Sequence, residues 1–182
     1  MLSRESLSGY SKEYFQLVKA VPTFVGMIME HASHGKDIIA ANQKEESEHI
    51  KPWMKFADSV GVSQPELEEY AGLEKTRQAV SNLSKLMTTF EGGAAAMYAL
   101  EQEIPKISLS KIDGLRKFYN ITTDDAIEYF RLHTEADIRH AALWRQILEK
   151  TPIENEDELF SIANKSVFAQ NMLLDSCYEA YC

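Results

Sequence analysis

One segment of the chain, residues 126–147, carries polar residues where a buried helix face should be apolar. Seven residues follow one another at alternating steps of four and three: Ala126, Phe130, His133, Asp137, His140, Trp144 and Ile147. This spacing places side chains on one face of an α-helix. The apolar members predict that the face is buried. An ionised aspartate buried there without a partner would be strongly destabilising.

A bound metal ion is the simplest explanation for this pattern. His133, Asp137 and His140 lie at i, i+4 and i+7, so their side chains can converge on one cation. Two alternatives remain, a buried hydrogen-bonded network without metal and a stripe that lies at a solvated edge. A lone histidine would favour the network, whereas three consecutive polar positions favour a metal.

Two other predicted helices carry the same anomaly. On one of them, Glu46 and His49 fall on the inner stripe at i, i+3. Glu45 is an alternative to Glu46, because it pairs with His49 at i, i+4. On the other, Glu101 is the one carboxylate on an otherwise apolar face. Three helices that each offer an inward carboxylate favour a shared site more strongly than any of them alone.

The candidate ligands together indicate two metal ions. They comprise three carboxylates and three imidazoles: Glu46, Glu101, Asp137, His49, His133 and His140. This set is too large for one zinc ion and contains no thiolate. It also lacks the all-oxygen character of a calcium or magnesium site. Two divalent ions, iron or manganese, fit best, and such centres usually bind and activate dioxygen.

The hydrophobic periodicity predicts an all-α protein, a bundle of about seven helices in one domain over residues 1–182. Strand and hairpin signals are nearly absent. We expect Pro52 to bend or break one helix and Pro105 to kink another. Ser63 with Glu66, and Thr122 with Asp125, are predicted N-terminal caps. The predicted helices cover residues 4–22 with a continuation over 23–31, and then 37–60, 63–70, 75–90, 94–118, 123–150 and 157–178.

Charge and composition limit the partners and the location. The net charge of -9 argues against a nucleic-acid surface, which needs clustered cations. No apolar run approaches the roughly 20 residues that span a bilayer, and the N-terminal segment lacks the apolar stretch of a signal peptide. Cys177 and Cys182 form no disulfide framework, so we expect free thiols and a cytoplasmic protein.

Three segments resemble a known family. They are NQKEESEHIKPWMKFADSVGV, ALEQEIPKISLSKIDGLRKFYNI and YFRLHTEADIRHA. They are similar to the heme-oxygenase-like di-iron oxidases, and within that group to the para-aminobenzoate synthases related to the Chlamydia protein associating with death domains (CADD). The likeness covers nearly the whole chain. Pyrroloquinoline-quinone synthase and the TenA thiaminases share this fold more distantly.

The resemblance implies a heme-oxygenase-like helical bundle and the same six ligands for iron, as Fe/Fe or Fe/Mn. It also implies that dioxygen is used to convert a tyrosine of the chain itself into para-aminobenzoate. Lys111, ten residues after Glu101, matches the lysine that gives up its nitrogen, and Tyr129 matches an active-site tyrosine. A homodimer and a host protein partner are further implications of the resemblance.

The chain departs from the family at three places. The spacing before His49 is shorter, which leaves Glu45 and Glu46 as alternatives, and an ungapped match would place Asn42 at the ligand position. The residue before Glu101 is Leu100 where the family has a tyrosine, with Tyr98 nearby. Met1 falls where the family's second helix begins, so we expect the first helix, which carries the consumed tyrosine, to be lacking.

These departures keep three other functions open. The same site could serve an oxidase that acts on a free small molecule. The protein could be a non-enzymatic helical module that binds a partner, although no exposed apolar helix face can be assigned from the sequence. Without its first helix, the chain could also be an inactive form that holds little metal.

Overall fold

The computed structural model describes residues 3–152 and 155–182, so Met1 lies outside the described part. Within these ranges every regular element is an α-helix, which confirms the all-α prediction. None of the helices carries an apolar stretch long enough to cross a bilayer. The helices are Arg4–Val18 (α1), Val21–Glu30 (α2), Lys36–Ser59 (α3), Gln64–Glu69 (α4), Glu74–Ser84 (α5), Phe90–Glu101 (α6), Ile104–Tyr119 (α7), Asp124–His133 (α8), Ala136–Lys150 (α9) and Glu156–Tyr181 (α10).

Three of the predicted helices are each divided into two segments. Only two residues separate α1 from α2, α6 from α7 and α8 from α9, so the ten segments form seven helical units, as expected. Pro105 lies in the first turn of α7, where its missing N–H costs nothing, so the expected kink is a break. Pro52 lies inside α3, and the helix continues through it.

A local hydrogen bond accompanies the break between α8 and α9. The Thr134 hydroxyl donates a hydrogen bond of 2.7 Å to the Arg131 carbonyl, which competes with the continuing helix. The predicted cap at Thr122 was wrong, because Thr123 is the N-cap residue of α8 and its side chain makes no capping hydrogen bond. The predicted cap of α4 is confirmed, since the Ser63 hydroxyl accepts a hydrogen bond from the Glu66 N–H at 3.5 Å.

Helix α6 lies at the centre of the bundle and packs against α2, α9 and α10. A run of small residues at its start allows this close packing. A Cβ atom on Gly93 would lie 2.4 Å from Ile28 Cγ1 of α2, so only glycine fits at that crossing. Helix α3 packs against α1, α2 and α8. The helices α3, α6, α8 and α9 thereby surround one buried volume.

Trp53 ties α1, α3 and α8 together beside that volume. Its indole is fully buried and donates a hydrogen bond of 2.9 Å to the Ser11 carbonyl of α1. Its ring contacts Tyr14 at 5.1 Å and Tyr129 at 4.6 Å between centroids. These rings form one layer, which we call the aromatic layer: Tyr10, Tyr14, Trp53, Phe56, Tyr129 and Phe130.

Candidate metal centre

All six candidate ligands lie together inside the bundle. Helix α3 supplies Glu46 and His49, the last residues of α6 and α8 supply Glu101 and His133, and α9 supplies the other two. Each of the six is only 2% to 6% exposed. Helices α6 and α8 both end beside this site, so each contributes its last residue as a candidate ligand. We call Glu46, His49, Glu101, His133, Asp137 and His140 the six-residue cluster.

Glu46 belongs to two groups of donor atoms at once. Its carboxylate, His49 and His133 offer donor atoms that all lie within 4.8 Å of one another. The same holds for Glu46 with Glu101 and His140. The sixth residue, Asp137, adds a carboxylate oxygen 3.5 Å from His140 Nδ1. A carboxylate shared by two groups can bridge two cations.

Several donor atoms of the cluster are buried without a hydrogen-bond partner. They are both carboxylate oxygens of Glu101, one oxygen each of Glu46 and Asp137, and the Nδ1 atoms of His49 and His140. His140 Nδ1 lies 2.8 Å from Glu46 Oε1 without the angles of a hydrogen bond. In the described ranges no lysine or arginine pairs with the three carboxylates. Buried anionic oxygens need compensation, and the donor set fits divalent cations.

Hydrogen bonds outside the cluster orient two of its histidines. His133 Nδ1 lies 2.7 Å from the Tyr129 carbonyl, which can only accept, so Nδ1 carries the proton and Nε2 keeps its lone pair. His140 Nε2 lies 3.1 Å from Glu45 Oε2, which leaves Nδ1 turned toward the cluster. Outer hydrogen bonds of this kind are typical of histidines that bind metals.

The same geometry separates the two rival glutamates. Glu46 points into the cluster, whereas Glu45 lies outside it, with a side chain 36% exposed and an ion pair to Arg139. Glu45 therefore contacts the cluster only through His140. Asn42, the residue of the ungapped match, is buried one turn before Glu46, and neither atom of its amide has a hydrogen-bond partner.

The pKa values show how the cluster holds its charge without metal. Burial lowers the pKa of His140, but the Asp137 and Glu46 carboxylates beside its ring outweigh burial and raise that pKa to about 11. Burial raises the pKa of Glu46, and the adjacent His140 and His49 rings reverse this effect and lower the pKa. Burial, with the charges of Glu46 and Asp137, raises the pKa of Glu101. Without metal, protons on His140 and Glu101 therefore offset part of the negative charge of the cluster.

Of the two other predicted residues, Tyr129 lies against the cluster. Its ring stacks on His133 with 4.0 Å between centroids. It also lines a cavity of about 40 Å³ together with Glu46, Glu101 and Asp137. Lys111 does not line this cavity. It lies on the opposite side of the aromatic layer and donates a hydrogen bond of 2.5 Å to the Tyr10 hydroxyl.

Tyr14 connects the two sides, and no specific pattern in the sequence singles it out. It lines the small cavity beside the cluster, and Lys111 Nζ lies 5.0 Å from the centroid of its ring. In the sequence it is only one apolar step of the α1 stripe. Leu100 lines the same cavity at the position of the family's tyrosine, whereas Tyr98 lines a separate surface groove.

Solved structures share this architecture. A TenA homologue from Pseudomonas syringae pv. tomato is 14% identical and superposes with a TM-score of 0.82 over 98% of this chain and 81% of that chain. A domain with a heme oxygenase-like fold from Shewanella denitrificans gives a TM-score of 0.81 at 14% identity, over 98% of this chain and 80% of that chain. At this identity the likeness establishes the heme oxygenase-like fold.

Relatives with a named activity are similar over nearly the full length of this chain. The 4-aminobenzoate synthase of Nitrosomonas europaea is 29% identical over all of this chain and 81% of its own length. That of Chlamydia trachomatis is 26% identical over 99% of this chain and 85% of its own length. Residues 10–170 match the family described as iron-containing redox enzymes. With the buried cluster of carboxylates and imidazoles inside that range, this chain belongs to the family of iron-containing redox enzymes.

Proposed function

We propose that this protein is a di-metal oxygenase that uses dioxygen to form 4-aminobenzoate from a tyrosine and a lysine of its own chain. The observation that carries the proposal is the six-residue cluster. It contains two groups of potential metal ligands that share Glu46, and several of its buried donor atoms have no hydrogen-bond partner. The relatives named 4-aminobenzoate synthase support the product.

In this proposal two ions occupy the cluster, as Fe/Fe or Fe/Mn. His49 and His133 would hold one ion, Glu101, Asp137 and His140 would hold the other, and Glu46 would contribute to both groups. The choice of iron or manganese follows from a mixed set of carboxylates and imidazoles without thiolate. When bound, the metals would supply the site at which dioxygen acts as the oxidant. The protein keeps the centre dry and holds the histidine rings in place.

The size of the cavity at the cluster favours a substrate that belongs to the chain. The cavity measures about 40 Å³, whereas benzene needs a cavity of roughly 150 Å³. A free aromatic or fatty substrate therefore has no room beside the metals in this conformation. A tyrosine already packed in the aromatic layer needs no such space. This favours self-modification over the oxidation of a free small molecule.

We propose Tyr10 as the tyrosine that is consumed, with Tyr14 as the alternative. In 4-aminobenzoate the amino group lies para to the carboxylate carbon, as the phenol oxygen of tyrosine lies para to Cβ. The 2.5 Å hydrogen bond from Lys111 Nζ to the Tyr10 hydroxyl places the nitrogen beside the carbon that it must reach. Tyr14 lies between this pair and the cavity at the cluster.

Peptide mass spectrometry tests the proposal. Protein loaded with iron is exposed to dioxygen and a reductant, with ¹⁵N in its lysines. We expect ¹⁵N-labelled 4-aminobenzoate and altered masses at Tyr10 and Lys111. Tyr10→Phe should abolish product, whereas the matched control Tyr98→Phe should retain it, because Tyr98 lines a separate surface groove and not the cavity at the cluster. Unchanged masses at Tyr10, Tyr14 and Lys111 in a protein that binds iron would refute self-modification.

We further propose a cytoplasmic homodimer formed through α10. No exposed apolar helix face could be assigned from the sequence, whereas in the structure Phe160, Phe168 and Tyr178 of α10 are 71%, 70% and 68% exposed. A second copy would cover this face. The free thiols Cys177 and Cys182 suit a reducing compartment. Analytical ultracentrifugation should give a dimer that Phe168→Glu dissociates, and a wild-type monomer at high concentration would contradict it.

A further inference from the structure

A second cavity lies on the opposite side of the aromatic layer from the six-residue cluster. Its volume is about 310 Å³, and it shares no lining residue with the small cavity at the cluster. Its walls are mostly apolar and come from α1, α3, α7, α8 and the end of α10. Lys111 lies in its wall, and among the described residues no Asp or Glu side chain lines it.

Lys111 is a cation without an anionic partner. Its Nζ donates to the Tyr10 hydroxyl and lies 4.8 Å and 5.6 Å from the ring centroids of Tyr10 and Phe130. Within the part of the chain that the structure describes, no carboxylate forms an ion pair with it. An amine in apolar surroundings loses hydration, and burial lowers the pKa of Lys111 to about 8. An anion in the cavity would restore the missing charge partner.

Gly114 is a second observation that points to a ligand in this cavity. It lies inside α7, where glycine is about 0.5–1 kcal/mol less stable than alanine. Close packing does not require it, because a Cβ atom on Gly114 would meet no atom within 4 Å. Its neighbours in the wall, Lys111 and Leu115, lie on the same side of the helix. A larger side chain at Gly114 would enter the cavity instead of clashing with the fold.

We propose that this cavity binds a small aromatic carboxylate, whose anionic group pairs with Lys111 Nζ while its ring packs on the aromatic wall. The volume is about twice the roughly 150 Å³ that holds benzene, so a substituted ring fits. Tyr10, Phe56 and Phe130 offer ring edges and faces to a flat aromatic ligand. The charge of Lys111 selects a carboxylate over a neutral ring.

The ligand class leads to one occupant, 4-aminobenzoate. It is an aromatic carboxylate of suitable size, and product released by one chain would occupy the cavity of another chain whose Tyr10 and Lys111 are unreacted. Only this choice of occupant rests on the proposed function. The class of ligand follows from the charge and shape of the cavity, and it requires neither metal nor turnover.

Isothermal titration of metal-free protein with 4-aminobenzoate tests the inference. Protein expressed without added iron or manganese and dialysed with a chelator cannot turn over, so a failed oxygenase reaction leaves this result unaffected. We expect saturable binding of one molecule per chain. The uncharged analogue 4-aminobenzamide should bind at least tenfold more weakly, because it cannot pair with the ammonium group. Equal affinity for both compounds, or no binding at millimolar ligand, would overturn the inference.

Three variants locate the site. Gly114→Leu should fill the cavity and weaken binding at least tenfold, whereas the matched Gly114→Ala should stay within about threefold of wild type. Lys111→Met should remove the preference for the carboxylate over the amide, with an unchanged circular dichroism spectrum. Undiminished binding by a folded Gly114→Leu protein would place the ligand elsewhere and overturn the inference.

Discussion

Glu45 Oε2 lies 3.1 Å from His140 Nε2, on the side of the imidazole that faces away from the cluster. Glu46, the next residue in the chain, faces the other ring nitrogen, Nδ1. Two consecutive glutamates therefore hold one histidine from opposite sides. The inner glutamate is the candidate ligand, and the outer one orients the ring. Glu45 and Glu46, which the sequence left as alternative ligands, therefore have two different roles.

The two glutamates should respond differently to the same substitution. Glu45→Gln keeps a side chain of the same size beside the His140 ring but removes its anionic partner. The loss of such outer partners typically costs about 10- to 100-fold in metal affinity. Glu46→Gln removes a carboxylate shared by both groups, so we expect the loss of at least one metal per chain. Competitive chelator titration with manganese, measured anaerobically, separates the two. Equal losses in both variants would contradict the assigned roles.

The stability of the metal-free protein should fall as pH rises from about 6.5 to 8. His140 has a folded pKa of about 11 against an ordinary value of 6.5, so its stabilisation is complete below pH 6.5 and is lost as pH rises toward 11. The slope is up to about 1.4 kcal/mol per pH unit for one proton. Urea unfolding should show this fall, and His140→Gln should flatten it. A wild-type curve as flat as that of the variant would refute the assignment.

Saturating manganese should reverse this trend, because His140 must lose its proton to bind a metal. The stabilisation by manganese should therefore increase between pH 6.5 and 8. Melting temperatures with and without the metal, compared at the two pH values, give the difference. A stabilisation independent of pH would mean that no cluster histidine gives up a proton on binding.

Two glycine-to-alanine substitutions should change stability in opposite directions. Gly93→Ala places a Cβ atom 2.4 Å from the buried Ile28 side chain and should destabilise by about 1–3 kcal/mol. Gly114→Ala meets no atom within 4 Å and should stabilise α7 by about 0.5–1 kcal/mol. Urea unfolding measures both. A neutral Gly93→Ala would mean that α2 and α6 can separate without cost.

The two buried tryptophans form another matched pair. Trp53→Phe removes the hydrogen bond to the Ser11 carbonyl in addition to packing volume, and such a bond contributes about 0.5–1.5 kcal/mol. The Trp144 indole N–H faces the Glu101 carboxylate without well-aligned hydrogen-bond geometry, so Trp144→Phe should lose mainly packing. We expect the first substitution to lower the free energy of unfolding more than the second. Equal losses would mean that the hydrogen bond to Ser11 contributes nothing.

The helical period predicted most of what positions the cluster. The 126–147 stripe placed His133, Asp137 and His140 on one inner face, and the structure keeps them together even though α8 and α9 are separate helices. The break itself was missed because it lies in the backbone hydrogen bonds of Thr134 and Glu135, which turn to the carbonyls three residues before them, and in the Thr134 hydroxyl bond to Arg131. Periodicity reports which residues turn inward and is insensitive to a two-residue interruption.

The surroundings of Lys111 could not be predicted in this way. Lys111 and Tyr10 are 101 positions apart, and their contact depends on how α1 and α7 are arranged in the bundle. The choice between Glu45 and Glu46 likewise depended on the rotation of α3 relative to α9. Both features arise from packing between distant elements, for which one sequence carries no periodic signal.

Metal content tests the central claim most directly. Protein reconstituted anaerobically with iron(II), alone and together with manganese(II), is desalted and its bound metal is counted by mass spectrometry. The six-residue cluster predicts two metal ions per chain in the wild-type protein and at most one in Glu46→Ala. Fewer than one ion per wild-type chain under every loading condition would contradict the di-metal centre.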